Sequence, residues 1–209
     1  MNKPASKRAK EIAEGLLSIQ AVFLRPNDPF TWASGIKSPI YCDNRLTLTA
    51  PKVRDLIENE MAKAIEEYYP ECDTLMGTST AGIAHAAITA HILNKPMGYV
   101  RGSAKSHGRN NRIEGKLEKG DKVVVIEDLI STGGSSVEVV EALREAGAEV
   151  LGVISIFTYD TAKADQRFEE ANCEKRSLCT IETLIETAVE EKYVTEEEGR
   201  GIIEWLREI

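Results

Sequence analysis

Apolar residues in "KEIAEGLLSIQAVF" recur at i, i+4 and i+7, with Ile12, Leu16 and Ile19 on one face, a spacing that predicts an amphipathic helix near the N-terminus. The same period returns in "PKVRDLIENEMAKAIEEYY". Pro51 opens that helix, because a first-turn residue needs no backbone N–H, and Val53, Ile57, Met61, Ala64 and Tyr68 share its apolar stripe. Elsewhere the pattern turns from periodic to blocky. Short apolar runs bounded by breakers predict buried strands at "TLMG", "PMGYV", "KVVVIED" and "EVLGVISIF". Between the last two, "SSVEVVEALREAGA" predicts a helix closed by Gly147. Strand alternating with helix implies βαβ units, and therefore an α/β fold with a parallel sheet flanked by helices and ligand sites at the C-terminal ends of the strands. Two more helices are predicted in the tail, in "TIETLIETAVEE" and "TEEEGRGIIEWLREI", the second opened by a capping box from Thr195 to Glu198. The segment "RGSAKSHGRNNRIEGKLEKGDK", Arg101 to Lys122, has little apolar period, and a loop that long inside a compact domain is functional or disordered.

A chain of 209 residues suits one α/β domain with a small appended piece. Its net charge of −8 argues against a nucleic-acid-binding surface spread over the whole protein, so any anion site must be local. No segment approaches the roughly 20 apolar residues of a membrane span, and a soluble, cytoplasmic protein without a membrane partner is expected. Cys42, Cys72, Cys173 and Cys179 form no CxxC pair and no metal-ligand spacing with the histidines, which predicts reduced thiols in or near the core.

Three constellations carry candidate chemistry. In "VVVIEDLISTGGSS" an apolar strand runs into Glu127 and Asp128 and then into Ser131, Thr132, Gly133, Gly134 and Ser135 ahead of a helix. Free backbone N–H groups, hydroxyls and a helix N-terminus together make a phosphate cradle. It lacks the lysine of a Walker loop and the spacing of a dinucleotide fingerprint. Acids beside such a cradle suit neutral hydroxyls, and a ribose 5-phosphate offers both groups; the plainer alternative is an ordinary strand-to-helix turn with solvated acids. The second constellation, "MGTSTAGIAHA", also follows a strand and sets Thr78, Ser79, Thr80, Ala81 and Gly82 ahead of a helix. Alone it is a glycine-rich turn; beside the first it suggests a second phosphate on one ligand. His85 and His91 within its helix are expected to pack or to face solvent. The third is the long loop, where Arg101, Lys105, Arg109, Arg112 and Lys116 stand against Glu114, with glycines at 102, 108 and 115. It reads as a basic lid over an anionic substrate, or else as a solvated charged loop.

The first constellation resembles the phosphoribosyl diphosphate (PRPP) signature of type I phosphoribosyltransferases. "FTWASGIKSPIYCD" resembles the N-terminal hood of the orotate phosphoribosyltransferases, and "YVRGSAKSHG" their catalytic loop. The likeness runs from about residue 10 to 205 and is strongest from Gly77 to Asp160. It implies a type I phosphoribosyltransferase fold with an N-terminal helix and hood segment in 1–50 and a core in 51–209 that holds a flexible catalytic loop at 101–116 and C-terminal helices. It implies transfer of phosphoribosyl from PRPP to orotate, with Mg²⁺ held mainly by PRPP and water and no direct protein ligand. Lys105, Arg101 and His107 would be catalytic and contact the diphosphate, in a homodimer whose loops are exchanged between subunits. PRPP would be bound further by Glu127, Asp128, Leu129, Ile130, Ser131, Thr132, Gly133, Gly134 and Ser135, with Thr78 to Gly82 as the diphosphate loop. Orotate would meet Ser131 and the hood residues from Ser34 to Lys37. Ala33, Ala81 and Gly102 stand where some bacterial members carry basic residues. A purine or uracil phosphoribosyltransferase would share the signature but lack the hood, and a PRPP-sensing regulator would need a basic surface.

Overall fold

The first apolar stripe forms α1 (Lys7–Ser18), capped by the Ser6 side chain, which accepts from the Ala9 N–H. The helix stops short of the predicted "QAVF" because Gln20 turns left-handed at φ 56°, while the N–H groups of Gln20 and Ala21 close back onto Leu17 and Leu16. The chain continues as β1 (Val22–Leu24), β2 (Phe30–Thr31), β3 (Lys37–Ser38), β4 (Ile40–Cys42), a 3₁₀ turn (Asn44–Thr49), α2 (Pro51–Tyr68), β5 (Thr74–Thr78), α3 (Ala81–Leu93) and β6 (Met97–Val100). Then follow β7 (Ile113–Glu114), β8 (Lys122–Ile130), α4 (Gly134–Glu145), β9 (Glu149–Thr158), α5 (Ala162–Glu170), β10 (Lys175–Thr180), α6 (Ile181–Glu190) and α7 (Glu196–Arg207). The structure, a computed structural model, describes residues 6–31, 37–102 and 112–208.

Six strands form the main sheet in the order β10-β9-β8-β5-β6-β7. The expected parallel sheet covers β10 to β6, and β7 adds an antiparallel edge inside the segment read as loop. Two short antiparallel ribbons, β1 with β4 and β2 with β3, make the N-terminal hood. The sheet is covered on both faces, which is why β8 reads as an unbroken apolar run rather than an alternating one. Val124 and Ile126 pack with Ile12, Leu16, Ile57, Met61 and Ile65 from α1 and α2. Val123 and Val125 face the other way, onto Val139, Val140 and Leu143 of α4 and Phe168 of α5. On α2 the stripe takes Ile65 in place of Tyr68, which is 41% exposed and lies 3.8 Å beneath the Arg176 guanidinium. All four cysteines are free; Cys42, Cys72 and Cys179 are buried, and burial pushes their thiols up.

Helix α3 crosses β8 at a distance only glycine permits. A Cβ on Gly82 would stand 2.4 Å from the Ile126 carbonyl oxygen and 2.5 Å from Thr78 Oγ1. Gly201, on the exposed side of α7, would meet nothing within 4 Å. The two glycines should therefore answer oppositely in urea denaturation: Gly82→Ala lowers stability by about 1–3 kcal/mol or more through overpacking, whereas Gly201→Ala raises it by up to about 1 kcal/mol through helix propensity.

Candidate functional site

Strands β5 and β8 are direct neighbours, in register from Thr74 and Val123 to Gly77 and Ile126, so the loops that leave them open at the same sheet edge. Each loop leads into a helix whose first turn has no side-chain cap: α3 after Thr80 and α4 after Gly133. Ser6, Thr161, Thr180 and Thr195 cap α1, α5, α6 and α7 with their side chains, and α2 begins with proline. First-turn N–H groups without a side-chain cap are donors at the positive end of a helix dipole, although in α3 the Ile83 N–H turns back onto the Thr80 carbonyl at 3.3 Å. Here two such ends stand side by side, as expected of paired anion sites.

The buried Glu127 carboxylate joins them. Thr78 Oγ1 donates to its Oε1 at 2.6 Å, Ser136 Oγ to its Oε2 at 3.0 Å, and the Asp128 N–H to Oε1 at 3.1 Å. Burial raises its pKa to about 7, and the neighbouring Asp128 adds to the rise, against the pull of the Thr78 and Ser136 hydroxyls. The acids lie within β8 rather than beyond it, since Leu129 and Ile130 still pair with Phe157 and Thr158. Asp128 is half-buried, its carbonyl accepts from Asn44 Nδ2 at 2.7 Å, and its carboxyl lies against that of Glu127. It is the more exposed of the two acids.

Sequence reasoning named the loop residues but not what holds them. Gly133 adopts φ 74°, within the left-handed region that favours glycine. The Ser131 carbonyl accepts from Thr161 Oγ1 at 2.8 Å, and Thr132 is gripped by Arg167; Thr161 caps α5 and Arg167 lies within it, a helix that no sequence pattern announces. In the other loop Ser79 is turned toward β6, its Oγ donating to the Val100 carbonyl at 2.6 Å, and the Ser79–Thr80 peptide is cis. Thr80 is exposed and precedes the uncapped first turn of α3. Arg101 follows β6 directly; its N–H donates to the Arg112 carbonyl at 2.8 Å and its guanidinium lies 3.3 Å from Glu114. The candidate catalytic residues Lys105 and His107 lie outside the described residues, as do Ser34 to Ile36 of the hood. Lys37 lines a cleft of about 700 Å³ with Pro26, Pro39 and Trp205. His85 is buried, its Nδ1 2.5 Å from Glu58 Oε1, and His91 is exposed, so both keep the packing and surface roles expected of them.

Comparisons with known proteins agree on one family. Residues 46–195 match the phosphoribosyl transferase domain family. The chain is similar to an orotate phosphoribosyltransferase of Listeria monocytogenes serotype 4b (strain F2365), 58% identical over 95% of each chain. Among solved structures it resembles orotate phosphoribosyltransferase from Aeropyrum pernix, at 27% identity and TM-score 0.75 over 88% of this chain and 99% of that one. It also resembles UMP synthase from Leishmania donovani, at 30% identity and TM-score 0.81, covering 95% of this chain and 42% of the other.

Glu127 should make stability depend on pH. Its carboxyl rises from an ordinary 4.5 to about 7, so the folded protein holds the proton more tightly than the unfolded one. That contribution is full below about pH 4.5 and is lost as pH rises through about 7. The unfolding free energy of the wild type minus that of Glu127→Gln should accordingly fall between these limits and then level off, read by urea denaturation across pH. A difference constant with pH would contradict the assignment.

Proposed function

The chain belongs to the orotate phosphoribosyltransferases, and on that premise we propose how its residues divide the work of the reaction. The protein transfers the phosphoribosyl group of PRPP to N1 of orotate, giving orotidine 5′-monophosphate and diphosphate in pyrimidine biosynthesis. The observation that supports the assignment of roles is the pair of uncapped helix N-termini joined through Glu127. A ligand with phosphate at both ends of a ribose matches that spacing of functions: 5-phosphate at Ser131 to Ser135, diphosphate at Thr78 to Gly82, ribose hydroxyls at Asp128 and Glu127.

The nitrogen lone pair of orotate attacks C1 of the ribose as the bond to the diphosphate oxygen breaks, and the electron pair leaves with the diphosphate. No protein nucleophile takes part; the chain contributes placement and charge stabilisation. Arg101, Lys105 and His107 are assigned to the diphosphate, with Lys105 meeting the charge that grows on it. Ser131 and Lys37 are assigned to orotate. Among the described residues no group of three metal-ligating side chains converges, and Asp128 is the carboxylate open at the edge. That donor set fits Mg²⁺ held mainly by substrate oxygens and water. When bound, the ion supplies positive charge to the diphosphate and ribose oxygens. The working form is proposed as a homodimer in the cytoplasm, each subunit lending its 101–116 loop to its partner, and the net charge of −8 supports a small-molecule rather than nucleic-acid role.

Loss of orotate absorbance on mixing the protein with PRPP, orotate and Mg²⁺ tests the activity itself. Asp128→Asn should raise the KM for PRPP about tenfold without unfolding the protein, since an amide accepts weaker hydrogen bonds than a carboxylate; an unchanged KM would remove Asp128 from the ribose site. Mixing Lys105→Ala with Asp128→Asn tests loop exchange when assayed at PRPP well below the wild-type KM, where Asp128→Asn alone keeps only about a tenth of the activity. If subunits exchange freely, about half the dimers are mixed and each has one sound site, so activity should recover to roughly a quarter of wild type. No recovery, with exchange demonstrated by mass-tagged subunits, would mean that each loop serves its own subunit.

A further inference from the structure

Helix α5 is packed against the 131–135 loop from outside the site, and one of its side chains reaches a loop hydroxyl. Arg167 Nη1 donates to the Thr132 carbonyl at 2.9 Å and to Thr132 Oγ1 at 3.0 Å. We propose that Arg167 is a positioning residue that fixes the Thr132 hydroxyl so that its proton is presented to the 5-phosphate of PRPP. The proposal rests on the reading of residues 131–135 as the 5-phosphate cradle.

The chemistry of the two groups carries the argument. Guanidinium is a donor only, so Thr132 Oγ1 must act as acceptor toward it. A hydroxyl has one hydrogen, and among the described residues nothing accepts the one on Thr132. With one lone pair occupied by Arg167, the hydroxyl can no longer rotate freely, and its proton is left for a ligand on the loop's open side. The side chain is committed to this task despite other opportunities. Glu138, Glu141 and Glu170 line the same groove, yet among the described residues none forms an ion pair with Arg167. It also presses on the start of α4, where a Cβ on Gly134 would stand 2.8 Å from Nη1.

Neighbouring contacts give the arrangement its rigidity. Thr161, the residue that caps α5, holds the Ser131 carbonyl at 2.8 Å. The ring of Phe168 lies under Gly133, where a Cβ would approach it to 3.0 Å. Three successive loop residues are thus each held from α5 or its cap, and only the Arg167 contact reaches a side chain that faces a ligand. The cation, one residue removed from the anion, adds positive potential at the cradle without touching it.

Steady-state kinetics on the full chain with PRPP, orotate and Mg²⁺ test this, comparing wild type, Arg167→Met, Arg167→Lys, Thr132→Val and the Arg167→Met/Thr132→Val double variant. Arg167→Met should raise the KM for PRPP and weaken inhibition by orotidine 5′-monophosphate, both by about tenfold, one charge-assisted hydrogen bond's worth. It should leave kcat and inhibition by free diphosphate within about twofold of wild type. Arg167→Lys should restore most of the affinity, because one nitrogen makes both contacts. In the Thr132→Val background Arg167→Met should add little, since the hydroxyl it acts through is gone. Should the methionine variant not fold, Arg167→Gln takes its place in the same comparison. A normal KM in Arg167→Met beside a raised one in Thr132→Val overturns the role of Arg167 and leaves the cradle standing, as would full additivity of the two. A normal KM in Thr132→Val overturns the cradle reading itself.

Discussion

Thr78 ends β5, Ser136 lies in the first turn of α4, and both donate to the same buried carboxylate, that of Glu127. Through this group the two loops at the sheet edge are held at a fixed separation, so a ligand spanning them meets a preset distance instead of two independently moving ends. The constraint has a cost, because burial and the adjacent Asp128 both oppose the charge on Glu127. An apolar residue there would avoid it but would leave the Thr78 and Ser136 hydroxyls without a shared acceptor. The position of one carboxyl thus ties the end of β5 to the first turn of α4.

Close approach of α3 to β8 completes that geometry. Gly82 brings the first turn of α3 against the Ile126 carbonyl, and Gly77 lies against the Gly82 carbonyl, where a Cβ would come within 2.9 Å. The helix end is therefore fixed relative to Glu127, the residue after Ile126, and α3 and α4 both begin beyond the C-terminal ends of adjacent parallel strands. Around them Asn44 holds the Asp128 backbone and Thr161 the Ser131 backbone. Each of these supports comes from an element remote in sequence.

That remoteness explains what could be read from the sequence. The strands β5, β8 and β9 are legible because two-sided burial makes them near-continuous apolar runs, β6 because its short apolar run is bounded by breakers, and the Thr195 to Glu198 capping box stands as expected. Strand β10 was not, since "KRSLCT" begins with Lys175 and Arg176 and carries its burial late, at Leu178 and Cys179. Nor was α5, which buries only Ala164 and Phe168, too few for a stripe. The loop residues announce themselves by composition, because hydroxyls, glycines and acids cluster in one stretch. Asn44, Thr161 and Arg167 belong to the same site but act through contacts of 84, 30 and 35 residues' separation, which no local pattern encodes.

The two bare helix ends bear on how this edge tolerates change. Donors that belong to the main chain are present whatever side chain sits above them, and no replacement other than proline can delete an N–H. Recognition written in the backbone can therefore persist while the residues along it drift, provided the path of the chain is kept. Vulnerability moves to the positions that shape that path: Gly77 and Gly82 where helix meets strand, and Gly133 where the loop turns left-handed. Hydroxyls such as that of Thr132 stand beside these main-chain donors and, unlike them, are lost by a single side-chain replacement.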